Sequence, residues 1–83
     1  MKIKAINWKS GVLFSGMPKK TAQLPFSYTA LVCPIVSGGE IIYYLWRLKQ
    51  GTCTINESYE QTEQSAMDMC QDAWEELVKE ALE

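Results

Sequence analysis

The residues most often used for chemistry are present in this chain without the company they need. Ser10, Ser15, Ser58 and Ser65 supply hydroxyls, but the sequence contains no histidine, so none has a conventional base to activate it. Gly38-Gly39 is an isolated pair, and no GxxxxGK pattern is available to cradle a phosphate. Glu57, Glu60 and Glu63 offer carboxylates at three-residue steps, yet acids flanking a helix start match the positive end of the helix dipole. Cys33, Cys53 and Cys70 form an odd, scattered set with no CxxC pair. Structural zinc takes four ligands in closely spaced pairs, and secreted disulfide scaffolds use even counts. The expectation is therefore no catalytic residue, no metal ligand and no cofactor. The three thiols read as small packing residues in a reducing cytoplasm.

Charge carries more information. Residues 1–50 hold seven Lys/Arg against Glu40, a local charge of +6, whereas residues 51–83 hold nine acids against Lys79, a local charge of −8. The overall net charge of −2 conceals this separation, which points to charged partners or self-association. Asp68, Asp72, Glu76 and Glu80 recur at four-residue steps, so on a helix they form a stripe with ~6 Å between neighbours. Like charges at that spacing destabilise a helix by a few tenths of a kcal/mol per pair. The C-terminal acids also oppose the dipole, at about 0.3–1 kcal/mol each. The stripe is either a solvated face or a surface kept for a basic partner. In the other half, Lys2, Lys4, Lys9, Lys19, Lys20, Arg47 and Lys49 are interleaved with Trp8, Tyr28 and Tyr43, a composition that also suits a nucleic-acid platform.

Turn residues and periodicity supply the frame. The 83 residues make one domain, 1–83, with a single core. Glycine-containing breaks at Ser10-Gly11, Ser37-Gly38-Gly39 and Gln50-Gly51 read as strand reversals. They predict up to five short strands at 3–9, 12–17, 26–36, 40–49 and 52–55, with "MPKKTAQLP" (17–25) as a connecting loop. Pro34 should lie at an edge, a bulge or the fraying end of its strand. From Thr62 onward, Ala66, Met69, Cys70, Ala73, Trp74, Leu77, Val78 and Ala81 follow helical spacing, which predicts an amphipathic helix over about 62–82 capped by Thr62. The fold class is α+β: an antiparallel β-meander of four to five short strands, over about 3–55, with one C-terminal amphipathic helix packed on one face. In "EIIYYLWRLKQG" alternation assigns Ile42, Tyr44, Trp46 and Leu48 to the core face. Ile41, Tyr43, Leu45 and Arg47 are left on the face that the helix does not cover. No run approaches the ~20 apolar residues of a membrane span.

Lys4, Ile6 and Trp8, then Pro25, Phe26 and Tyr28, then Thr62, Ala66, Cys70, Gln71, Trp74, Glu75, Ala81 and Leu82 stand in the order of a wider pattern. On these residues the chain resembles a group of short, functionally uncharacterised proteins of tailed bacteriophages and prophages. It departs from their pattern at Ser27, where glycine is expected, and at Cys70, where alanine is usual. The resemblance implies a phage-type accessory protein in the cytoplasm of a host bacterial cell, with a sheet-plus-helix fold and no catalytic residue. The expected function is stoichiometric binding of a host or phage protein with a basic surface, as an inhibitor of a host defence or nucleic-acid-handling protein. The expected partner-binding surface combines Asp68, Asp72, Glu76 and Glu80 with Ile41, Tyr43, Leu45 and Arg47. The alternatives are a small nucleic-acid-binding protein using the basic half, and a homodimer closed on the leftover apolar face.

Overall fold

The computed structural model describes residues 5–13 and 16–82, and their side chains as far as residue 80. The described residues form five strands and a long helix: β1 (Lys9–Val12), β2 (Pro18–Gln23), β3 (Tyr28–Ser37), β4 (Glu40–Gln50), β5 (Cys53–Glu60) and α1 (Glu63–Leu82). The strands make one sheet in sequence order, each antiparallel to its neighbour. This is the expected α+β meander with a C-terminal helix. Among the described residues no helix is long and apolar enough to cross a membrane.

Two of the expected turns behave as expected. Gly38 and Gly39 both take positive φ, 59° and 82°, as a two-residue reversal between β3 and β4 requires. Gly51 (φ 59°) does the same between β4 and β5. The third does not. Ser10 and Gly11 lie inside β1, and the reversal falls later, where the Leu13 amide donates to Met17 O at 2.9 Å. Gly11 does not serve a turn: a Cβ there would sit 3.1 Å from Cε of Lys19, a flexible side chain that passes close to it. The reading of 17–25 as a loop is likewise corrected, because "PKKTAQ" is β2. Ala22 is its one fully buried residue, so the segment shows no apolar period. Its conformation is imposed by pairing along β3 from Val32 to Thr29, a tertiary influence that outweighs local propensity. Pro18 occupies the first strand position, where its missing N–H is tolerated. Of the expected first strand at 3–9, residues 3 and 4 lie outside the described residues. Residues 5–8 form no strand and instead bring Ile6 and Trp8 to the core.

The core lies between one face of the sheet and α1. Val32, Trp46, Leu48, Ala66, Cys70 and Trp74 are buried together there, with Ile6 and Leu24 closing the β2 side. Thr62 caps the helix as its position predicts: Ser65 N donates to its Oγ1 at 3.0 Å. Gln71, on the flank facing the N-terminal segment, accepts from Ile6 N at 2.7 Å and donates to Glu75 at 3.1 Å. Ile6, Trp8, Tyr28, Cys70, Gln71 and Trp74 thus meet in the core or along this seam. Tyr28 and Trp74 make an edge-to-face pair with ring centroids 5.4 Å apart.

Two bulges modify the alternation read from the sequence. Ile35 pairs with Tyr43 but Val36 pairs with Ile41, so Ile42 is an extra residue on β4. On β5, Leu48 faces Asn56 while Lys49 faces Thr54, which makes Ile55 the extra residue. Each bulge shifts the side chains beyond it relative to the pleat. Pro34 lies past the end of the β2 pairing, which stops at Val32, so β3 is a local edge there, one of the places expected for it, although it is paired with Tyr44 on the other side.

Candidate functional site: an acid-rimmed groove beside the helix

The helix covers the sheet unevenly. On its β2 side the segment 5–8 and Leu24 fill the space against α1, whereas on its β5 side nothing among the described residues does. The result is a groove of about 370 Å³ between α1 and strands β4 and β5. Trp46, Leu48, Ile55 and Leu77 line its apolar part, and Met69 stands at its helix wall. Met69 belongs to the predicted apolar stripe, yet it is 42% exposed because the groove, not the core, is what it faces. Ile55 is 44% exposed, and it is the bulged residue of β5.

Asp72, Glu76 and Glu80 line the same groove. Helical geometry sets them on one flank at ~6 Å steps, and all three are exposed. Among the described residues none of them forms an ion pair, the one ion pair found being Arg47–Glu57. Asp68, the fourth acid of the expected stripe, is not part of the lining and accepts a hydrogen bond from Gln64 at 2.9 Å. The groove therefore combines three carboxylates, without ion-pair partners among the described residues, with an apolar floor whose exposed part is mainly Ile55 and Met69. The floor also holds an anomaly. Trp46 is 3% exposed, and its indole N–H is a buried donor without an acceptor among the described residues, a condition worth about 1–3 kcal/mol of instability.

The four sheet residues of the expected site lie elsewhere. Tyr43, Leu45 and Arg47 share the face away from α1, since their strand partners Ile35, Cys33 and Leu31 alternate with core residues such as Val32. Ile41 does not join them, because the bulge sets it opposite Val36. Leu45 is not uncovered either: it is 7% exposed, flanked by Cys33 and Tyr59 across the sheet. Arg47 is held by Glu57, Nε to Oε2 2.7 Å, directly opposite on β5. Tyr43 remains open and lies 6.3 Å from Tyr59, centroid to centroid. The groove acids and Tyr43, Leu45 and Arg47 are thus on opposite faces of the sheet and do not make one surface. The groove that replaces that surface could be sought in the sequence only through Met69 and Ile55, and the bulge that places Ile55 has no clear local signature.

The remaining reactive groups do not converge. Glu57 is engaged by Arg47, Glu60 accepts from Ser65 Oγ at 3.2 Å, and Glu63 sits in the first helical turn. Among the described residues no three cysteine, aspartate or glutamate side chains are grouped to hold a metal ion. Cys33 and Cys70 are buried and Cys53 is exposed, all three free. Burial pushes the Cys70 thiol up to about 12. It also raises that of Cys33, against the opposing pull of Arg47 and Lys19. Both are therefore held as neutral thiols, poor nucleophiles and poor metal ligands. No protein-family model, no curated protein and no solved structure matches the chain.

Proposed function

We propose that this chain is a non-enzymatic, phage-type accessory protein that binds a protein partner stoichiometrically through the acidic flank of α1. The partner class is a host or phage protein with a basic surface, and a host protein of defence or nucleic-acid handling is the target that fits the sequence resemblance. The observation that carries the binding role is the coincidence of Asp72, Glu76 and Glu80, unpaired, with the apolar floor of one groove. Aligned carboxylates steer a cationic surface toward the site. The floor then supplies affinity by burying apolar area at about 25 cal/mol per Å². Neither element alone would suffice, since exposed charges in water contribute little and an apolar groove alone selects poorly.

The test is capture from a bacterial lysate by the immobilised protein, in parallel with Asp72→Lys/Glu76→Lys. Both positions are exposed, so the double variant should keep its far-ultraviolet dichroism. Retained partners should fall to background with it at physiological salt. Equal capture by both proteins would reduce the acidic flank to a solvated face.

A second reading has its own support. Lys19, Arg47 and Lys49 pair into the sheet at positions in step with Cys33 and Leu45, on the face away from the acidic helix. A polyanion on that face would be shielded from the carboxylates by the sheet itself. Tyr43 and Tyr59 would offer stacking surfaces nearby. A mobility shift at low salt that is lost in Arg47→Ala/Lys49→Ala would support nucleic-acid binding. No shift with single- or double-stranded probes would dismiss it.

A further inference from the structure

We infer that the groove receives an amphipathic helix of a partner protein, about three turns long, with Lys or Arg at four-residue intervals along one flank. This deepens the binding role proposed above and rests on it. The direction of the groove comes first. Its lining follows α1 from Met69 to Glu80, about 16 Å at 1.5 Å per residue. On the sheet it touches Trp46 and Leu48 of β4 and Ile55 and Asn56 of β5, little more than two cross-strand levels. An occupant must therefore run along the helix rather than along the strands. A segment added to the β5 edge would leave most of the helix wall empty.

Charge then selects the occupant. Asp72, Glu76 and Glu80 repeat every four residues, and a neighbouring helix carrying Lys or Arg at i, i+4 and i+8 repeats its cations at the same ~6 Å interval. Two helices side by side lie 8–10 Å apart, which is within reach of lysine and arginine stems. Between those cations, a bulky apolar residue would rest on Trp46, Leu48 and Ile55. The indole N–H of Trp46, buried and without an acceptor among the described residues, belongs to a side chain that lines the groove and so reports on its occupation. A second copy of this chain does not meet these requirements. Its one long helix is acidic, and the cations among its described residues lie mainly on strands.

The experiment uses the full chain labelled with ¹⁵N and three synthetic peptides of the same length and composition. One places Lys at i, i+4 and i+8 beside Leu at i+1 and i+5, one is a scramble that breaks this period, and one alternates Lys and Leu to favour an extended strand. The expected result is saturable binding of the first at least about tenfold tighter than of the other two. It should shift the Trp46 indole N–H resonance, and both effects should be lost in Asp72→Lys/Glu76→Lys. Equal binding of the scrambled or alternating peptide would overturn the helical occupant while leaving acid-dependent capture standing. Binding that leaves the Trp46 resonance in place would overturn the groove as its seat. Failure of all three peptides, with lysate capture still sensitive to charge reversal, would also overturn it. Failure of the peptides together with charge-insensitive capture would remove the binding role as well.

Discussion

Replacing Trp46 by phenylalanine isolates the indole N–H that the fold leaves without an acceptor. The side chain is 3% exposed and sits between Val32 of β3 and Ser58 of β5. The smaller ring leaves roughly 40 Å³ empty, which costs about 1 kcal/mol at about 24 cal/mol per Å³. The lost apolar transfer adds about 1 kcal/mol, since the difference in size is one to two methylene equivalents. Against this, an unpaired buried donor costs about 1–3 kcal/mol, and phenylalanine carries none. The terms offset, so Trp46→Phe should move stability by less than about 1 kcal/mol in either direction. Trp74→Phe is the matched control. It is 6% exposed and its nitrogen is not among the buried donors lacking a partner. It should therefore lose the full size penalty of about 2 kcal/mol, with part of the Tyr28 edge-to-face contact besides. Urea unfolding followed by far-ultraviolet dichroism reads both from the midpoint, provided the slope is unchanged. If Trp46→Phe costs as much as Trp74→Phe, the indole has an acceptor in solution. The argument that this buried donor is unsatisfied then fails.

Ser27 holds φ at 67° beside Phe26 at 61°, a region that costs L-residues about 1–2 kcal/mol. Ser27→Gly should raise stability by about 0.5 kcal/mol after the added freedom of the unfolded chain is subtracted, read from the same urea midpoint. Cys70 keeps its proton in the native state up to about 12, whereas an unfolded thiol releases it near its ordinary value. Its contribution is thus complete below about pH 9 and declines as pH rises toward 12, by at most about 1.4 kcal/mol per unit. Cys70→Ala should flatten the difference in stability between pH 8 and 10.5 relative to the parent protein, and an unchanged slope would contradict the burial argument. A thiol reagent should modify Cys53 rapidly and Cys33 and Cys70 only on unfolding, so mass spectrometry of the native protein should show one adduct. Neutralising the groove with Asp72→Asn/Glu76→Gln should increase self-association in sedimentation, because the apolar floor would lose its charged guard. A monomer unchanged at high concentration would show that the acids play no such part.

What the sequence made legible was the large-scale plan, and the reason is periodicity. The α1 stripe runs for five turns with a capping threonine before it, and every such turn repeats the same instruction. The β3–β4 hairpin is equally explicit, with two glycines between long apolar runs. Local signals failed where pairing, not composition, decided the outcome. The segment 18–23 became β2 because β3 offered a free edge, and Ser10-Gly11 stayed in β1 because they pair with Lys20 and Lys19 of β2. The make-up of the outer sheet face was hidden for a related reason. Strict alternation was carried through β4, but the extra residue at Ile42 removes Ile41 from the face of Tyr43. Leu45 was read as uncovered because single-strand alternation does not show what adjacent strands place beside it. The acids were read correctly as an ordered stripe, but sequence alone does not tell which surface lies next to a helix flank. Here it is the β4–β5 floor, not the outer sheet face.

The open flank follows from proportion. Five strands at about 4.8 Å spacing span about 19 Å between the outermost axes, while one helix with its side chains is about 10 Å wide. A single helix therefore cannot seal such a sheet wherever it is placed. The chain closes one side with Ile6, Trp8 and Leu24, tied to the helix through Gln71. On the other side it extends the sheet to Glu60 with a strand almost wholly exposed. A β5 ending at residue 55, as the turn signals suggest, would have paired with little of β4 and left the groove without Asn56 beside Leu48 and Ile55. The added residues 56–60 place Asn56 opposite Leu48 and Ser58 opposite Trp46, widening the sheet just where α1 does not reach. The carboxylates then stand over that extension, on the flank where an unguarded apolar floor would otherwise draw other molecules indiscriminately. The same charges that keep the floor in water restrict what can enter to cationic surfaces. The β4–β5 floor and the four-residue acidic repeat act together: the sheet supplies the apolar surface, and the helix determines which charge can approach it.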